Sequence, residues 1–264
     1  MTFSLTACRF QLAARRAIHF PPGMAGNVLR GALGSALRDI AGAEVYGRIF
    51  RPSAHGAGPS GLSDRPRPFV LRCAELNARV VQPGEPFCFG LHLFETRDSS
   101  LDHLTRAFAH WADLISVTQD RVTINLSCCG EPVTHIRVIF HTPTELKAKS
   151  QMASRSFPIL LARARDRVST LRALYGEGPL PIDFRALAAR ANAVRTAEHE
   201  LHPVSIERRS SRTGQRHSIG GLVGFAEYAG DLGEFLPYLQ AASWAGIGRH
   251  CTWGNGHITT KVLA

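Results

Sequence analysis

At 264 residues, 44% hydrophobic and 20% charged, the chain carries enough apolar material for two ordinary domains and too much for a disordered one. No apolar run approaches the roughly 20 residues that span a bilayer, so no membrane-spanning helix is expected. The net charge of +10 rests on arginine, since Lys147, Lys149 and Lys261 are the only lysines.

The opening "MTFSLTACRFQL" reads as a strand. Phe3, Leu5 and Ala7 alternate, then the phase shifts to Cys8, Phe10 and Leu12, as a bulge would cause. Met24, Val28, Leu29, Ala32, Leu33, Ala36, Leu37 and Ile40 keep a helical period that Gly42 can end. A long loop, 42–67, precedes the strands "PFVLRC" (68–73) and "EPFCFGLHLFE" (85–95). Leu101, Leu104, Phe108, Trp111 and Ile115 predict a helix over 100–116, with Ser99 and Asp102 as a capping box. "RVTINLS" (121–127) then alternates as a strand. The order β-α-β-β-α-β is the ferredoxin-like split unit.

The second half repeats that order. "HIRVIF" (135–140) is a strand, and Phe157, Leu160, Leu161, Val168 and Leu171 line a helix over 157–175. A further helical stretch follows Asp183. "PVSIERRSS" and "IGGLVGFAEY" form a strand pair around the turn "RTGQRH". "DLGEFLPYLQAA" is a helix with Asp231 as N-cap, and "HITTKVL" is the closing strand. The expected fold class is α+β, two tandem ferredoxin-like (RRM-like) domains. The first is 1–129 with its loop 42–67; the second is 130–264 with a glycine-rich loop at 246–256.

Arginine's planar fork suits bidentate phosphate contacts and stacking on bases. A nucleic acid is therefore the first expected partner and an acidic lipid surface the second. Cys8, Cys73, Cys88, Cys128, Cys129 and Cys251 form no C-x-x-C pair. That argues against a zinc ribbon or a secreted disulfide framework and for reduced thiols in a cytoplasm. No ligand cluster has convincing metal spacing, so neither metal nor cofactor is expected.

The stretch "WAGIGRHCTWGNGHI" sets Gly246, Gly248, Gly254 and Gly256 between a helix and the last strand. A dinucleotide fingerprint needs the reverse setting, a strand before the glycines and a helix after them. A G-K-[ST] phosphate loop is absent from the sequence. Two uses remain. Glycines let phosphates or bases lie against bare N–H groups, with Arg249 and His250 adding charge or stacking, or they let the loop pack tightly beneath a neighbouring domain.

Glycine-hydrophobic-glycine, a short basic insert and G-x-G before a last strand resemble the carboxy-terminal loop of the RAMP superfamily of CRISPR-associated RNA-binding proteins. Within it, "LRGALGSAL", "PRPFVLR", "RRSSRTGQ" and "GGLVGFAEYAGDL" resemble the precursor-crRNA-processing endoribonucleases, the Cas-six family. That resemblance implies tandem ferredoxin-like domains and metal-independent cleavage of CRISPR repeat RNA. The 2′-hydroxyl attacks the adjacent phosphate, leaving a 2′,3′-cyclic phosphate and a 5′-hydroxyl. Such chemistry needs a general base, a general acid and cations for the phosphorane.

His55 stands in the long segment before the second strand, and a loop of that length is usually functional or disordered. The resemblance implies a catalytic histidine in the same segment. Around His55 lie Tyr46, Arg51, Arg65 and Arg67, the arginines to stabilise the phosphorane and Tyr46 to orient a partner. Several members of the family place a lysine there; this chain has none, and arginine does not readily donate a proton. His217 is the alternative catalyst. His92, His103 and His110 read as structural.

Arg208, Arg209, Arg212 and Arg216 bracket a hairpin turn. With the glycine loop, Arg249 and His250, they form the expected RNA-binding surface. Arg163, Arg167 and Arg172 read as the solvated face of the 157–175 helix. "GLVGFAEY" does not match the aromatic pattern of a base-stacking sheet. The implied partners are repeat RNA and crRNA and further CRISPR effector subunits, with the chain a monomer or a homodimer. Two other readings stay open: a non-catalytic RAMP subunit that binds guide RNA, and a small-molecule enzyme whose glycine loop holds a phosphorylated ligand. The arginine surplus and the lack of clustered carboxylates count against the second.

Overall fold

The computed structural model describes residues 1–263 except 53–64, 128–129, 131, 147–154 and 210–215, together with the side chains of Arg209, Arg216 and His217. His55 and Arg212 therefore lie outside the described residues, as do the side chains of Arg209, Arg216 and His217. The elements of the first half are β1 (Thr2–Ala13), β2 (Ile18–Phe20), α1 (Ala25–Ile40), α2 (Ala43–Phe50), β3 (Phe69–Arg72), β4 (Arg79–Val81), β5 (Pro86–Leu93), α3 (Leu101–Trp111) and β6 (Asp113–Asn125). Those of the second are β7 (His135–Thr144), α4 (Phe157–Tyr175), α5 (Phe184–Ala191), β8 (Arg195–Val204), β9 (Glu207–Arg209), β10 (Arg216–Ser218), β11 (Gly221–Ala229), α6 (Leu236–Ala245) and β12 (Ile258–Val262).

The two large sheets have four strands each, ordered β3-β5-β1-β6 and β12-β7-β11-β8. Numbered within its own half, each sheet has the strand order 4-1-3-2 or its reverse, with helices in both crossovers. That is the ferredoxin-like arrangement, present twice. β2–β4 and β9–β10 add two small ribbons.

The phase shift in β1 is not a bulge. Its pairing with β6 runs without a break from Thr2 to Gln11, and the register slips only between Gln11 and Leu12. Instead the strand buries one face at its start and the other further on. Cys8, Phe10 and Leu12 pack in one core with Leu29 and Leu33 of α1 and Leu104 and Phe108 of α3. Phe3 and Leu5 pack in the other, with Leu160 and Leu161 of α4 and Leu239 and Ala242 of α6. The first sheet thus lies between two helix layers, α1/α3 and α4/α6, and the second sheet covers the far side of α4/α6. A strand buried on both faces gives a phase change without extra residues.

Several boundaries differ from the sequence reading. The strand read from Pro203 begins at Arg195 as β8 and pairs with β11, while Glu207–Arg209 and Arg216–Ser218 pair in the separate β9–β10 ribbon. The 42–67 stretch is not all loop, because it begins with α2, whose Ile49 and Phe50 are buried. The helix predicted over 100–116 ends at Trp111, and Ile115, expected in the core, is 52% exposed on β6. Arg15 donates to the carbonyls of Ala109 and His110 and to Asp113 Oδ1, closing the last turn of α3. The β-branched residues Ile115, Val117 and Thr118 then favour a strand. No Ser99–Asp102 capping box forms: Ser99 Oγ accepts from Leu101 N, and Glu95 from Ser100 N. Asp231 does not cap α6, which starts five residues later at Leu236 with Phe235 as its N-cap.

The arginines of α4 are not a solvated face. Arg172 is 7% exposed and donates to Thr2 O and to Gly178 O, and Arg167 donates to Ala245 O. Arg72 of β3 donates to Ser243 O and Trp244 O, and His92 Nδ1–H of β5 to Trp244 O at 2.9 Å. The unpaired carbonyls at the end of α6 are thus satisfied from outside the helix, and the glycine loop leaves α6 from a fixed point.

Burial and the neighbouring Arg72 push His92 down to about 3. Burial, Arg72 and His141 do the same to His257. Both are neutral in the fold, so an unfolded chain binds more protons than the folded one between those values and about 6.5. Stability is therefore complete above about pH 6.5 and falls as pH descends toward 3, by at most about 1.4 kcal/mol per pH unit for His92. His92→Gln keeps a donor for Trp244 O and removes the titration. Denaturant unfolding at pH 7, 5.5 and 4.5 is expected to show a shallower acid loss in that variant than in the wild type.

Candidate active site

The amino end of α1, the end of α2, the lead into β3, the β9–β10 ribbon and the glycine loop meet at one place, around Trp253. Trp253 stands in a short 3-10 turn, Cys251–Trp253. His250 stacks on its ring at 4.8 Å and 11°, and the guanidinium carbons of Arg208 and Arg30 lie 5.0 and 5.2 Å from its centroid. Arg30 also lies 4.6 Å from the Phe50 ring centre, and Arg67 5.6 Å from it. Arg67 Nε donates to Phe50 O at 2.8 Å, and Arg208 Nε to Asn27 Oδ1 at 2.5 Å. Tyr46 stacks on Phe50 at 5.5 Å, with Arg51 5.7 Å above its own ring. Aromatic faces hold the flat cations in place and leave their edges to a ligand.

The charged side chains nearest Arg30, those of Arg51, Arg67 and Arg208, are all cations. Burial pulls Arg30 down to about 9, helped by Arg67, Arg208 and Arg51 and opposed by the Tyr46 hydroxyl. Guanidinium groups gathered against their mutual repulsion fit an anion with several oxygens, a phosphate or a phosphorane. Among the described residues no group of three or more His, Cys, Asp and Glu could hold a metal ion.

The glycine loop is braced by its own backbone. Gly246, Gly248, Gly254 and Gly256 all have φ between +70° and +84°. A Cβ on Gly256 would lie 2.0 Å from Ile247 O, and one on Gly248 2.3 Å from Glu145 O. Ile247 N donates to Gly256 O, Arg249 N to Glu145 O and Gly256 N to Pro143 O. In α1, a Cβ on Gly26 would come within 1.8 Å of Trp253 O, so this helix rests directly on the turn. Of the two uses open for these glycines, tight packing accounts for the geometry: their close contacts are with the loop itself, with Glu145 at the end of β7 and with Leu71 of β3. The loop in turn presents His250 and Trp253 to the cluster. Burial sets His250 below the ordinary histidine range against the pull of Glu145, whose Oε2 is 3.4 Å from Nε2.

Of the residues expected from sequence, Tyr46, Arg51, Arg67, Arg208 and His250 come together. Arg65 lines a neighbouring cavity with Arg51. Arg249 is drawn away, paired with Glu145 at 2.9 Å. The segment carrying His55 leaves the described structure after Pro52 and returns at Arg65, next to residues of the cluster at both ends. Arg30 and Trp253, the hub of the cluster, were not among the expected site residues. The signal for Arg30 is a charge set between the buried Leu29 and Leu33 on the inward face of α1.

Two sheets of 4-1-3-2 order, joined through a shared helix layer, define a tandem ferredoxin-like protein with an arginine-rich junction. A family model described as CRISPR-associated endoribonuclease Cas6 matches residues 138–258, and a model described as an N-terminal domain matches residues 3–152. The carboxy-terminal half of the chain is thus similar to the Cas6 endoribonucleases. A Cas6 product complex shares its fold at a TM-score of 0.60 and 15% identity, covering 98% of this chain and 99% of that one. Thermus thermophilus Cas6 does so at 0.58 and 14%, covering 99% of each. In a partial Cas6-RT-Cas1--Cas2 complex the likeness is 0.62 at 12%, over 98% of this chain and 46% of the other. No curated protein matches the chain. Among the described residues no helix is long and apolar enough to cross a membrane.

Proposed function

We propose that this protein is a metal-independent endoribonuclease that processes CRISPR repeat RNA. The observation that carries the reading is the convergence of Arg30, Arg51, Arg67 and Arg208 around Trp253 and Phe50, in a chain whose residues 138–258 match the Cas6 model. In the proposed step the 2′-oxygen forms a bond to phosphorus as the phosphorus–O5′ bond breaks. A base takes the 2′-hydroxyl proton, and an acid protonates the leaving 5′-oxygen. His55 serves one of these proton transfers. Arg30, Arg51 and Arg67, with Arg65 at the edge, neutralise the phosphorane, and Tyr46 orients one of them.

The two domains, 1–129 and 130–264, both contribute: Arg30, Tyr46, Arg51 and Arg67 from the first, Arg208, His250 and Trp253 from the second. The β9–β10 ribbon holds the RNA through Arg208 and its neighbours Arg209, Arg212 and Arg216. Binding is electrostatic and shape-reading, so affinity falls steeply with salt. The test is incubation with repeat RNA in EDTA, with products resolved by gel and mass. One cut leaving a 2′,3′-cyclic phosphate and a 5′-hydroxyl is expected. Tight binding without cutting would leave a guide-RNA subunit instead.

A further inference from the structure

A cavity of about 620 Å³ opens between α2, the connection from β5 to α3 and the end of α4. We infer that it is a nucleotide subsite, taking one base and its phosphate from the RNA beside the cut; this rests on the ribonuclease reading above. The volume lies within the range of small-ligand sites.

Its floor is neutralised internally. Arg48 pairs with the buried Glu95 at 3.1 Å and donates to Asp98 O, while Glu95 also accepts from Ser100 N. At the rim, Arg51, Arg97 and Glu44 are exposed. Arg51 is the link to the site: it lines the cavity and also stands over Tyr46, within reach of Arg30. A phosphate on Arg51 and Arg97 would be continuous with the phosphate at the arginine cluster. Glu44 accepts N–H groups from the edge of a base.

Gly47 is the independent observation. It stands inside α2 and lines the cavity, yet a Cβ there meets nothing within 4 Å and its φ is not positive. A glycine inside a helix lowers stability relative to alanine, and neither packing nor backbone conformation requires this one. Its effect is to bare the helix backbone on the cavity side, where a flat ring can lie.

The test compares wild type, Gly47→Ala and Gly47→Leu on repeat RNA and on RNAs with one abasic nucleotide at each position around the cut. Gly47→Ala is expected to melt higher than wild type. Gly47→Leu is expected to raise KM by about tenfold with kcat little changed, the pattern of lost uniform binding. One abasic position should weaken the wild type by a similar factor and leave Gly47→Leu no worse. An unchanged KM in the leucine variant, or no abasic position whose effect disappears in it, overturns the subsite. If wild type neither binds nor cuts repeat RNA, the ribonuclease reading fails instead. Binding of free AMP, GMP, CMP and UMP then decides: loss on Gly47→Leu keeps a nucleotide site with a free ligand, and no binding by wild type ends it.

Discussion

His55→Ala lowers the rate of RNA cleavage by about 10² to 10⁴-fold, the usual contribution of a positioned general acid or base. RNA affinity should change little, because the arginines proposed to hold phosphate are untouched. Single-turnover cleavage in EDTA, beside filter binding, separates the two effects. The reason lies in what the cluster lacks. Its described members supply charge and aromatic surface, but arginine does not readily give up a proton and His250 is stacked and pushed toward neutrality. We look to the segment between Pro52 and Arg65 for a proton carrier, and His55 is its only histidine. Cleavage that survives the substitution would move the role to His217.

Arg30→Gln lowers cleavage by about 10² to 10³-fold, the cost of removing one preorganised donor from a developing oxyanion. The melting temperature should stay level or rise. A half-buried cation facing three like charges opposes folding, and the depressed value near 9 expresses that. The sign follows from proton counting. Between about 9 and the ordinary arginine range the folded chain holds fewer protons than the unfolded one, so stability climbs with pH there and the penalty is fully present at neutral pH. Arg30→Lys keeps charge but not the planar fork and should recover activity only in part. A variant that melts lower and still cuts would make Arg30 a packing residue.

Much of the architecture was legible in the sequence because local pattern and tertiary burial agree. The helix from Phe157 to Tyr175 matches its expected span, and both halves show the expected strand and helix order. What was misread is where burial on two faces, or satisfaction from afar, replaces the local pattern. β1 looked bulged because its periodicity serves two cores in turn. The arginines of α4 looked solvated because their acceptors, Thr2 O and Ala245 O, are distant in sequence. The site itself was half legible. Tyr46, Arg51, Arg67 and Arg208 announced themselves by type and neighbourhood, whereas Arg30 and Trp253 are joined only by the packing of α1 on the glycine loop at Gly26.

The two halves repeat one motif, but they do not bear mutation alike. The first sheet has helices on both sides, so neighbouring positions of β3, Phe69, Val70 and Leu71, are each answerable to a core. In β7 of the second sheet only alternate positions, Ile136, Val138 and Phe140 among them, are buried. Divergence after a duplication would therefore be channelled unevenly. The first copy is held to its apolar identity, while the outer face of the second is left to drift, or to be recruited, with little cost to the fold.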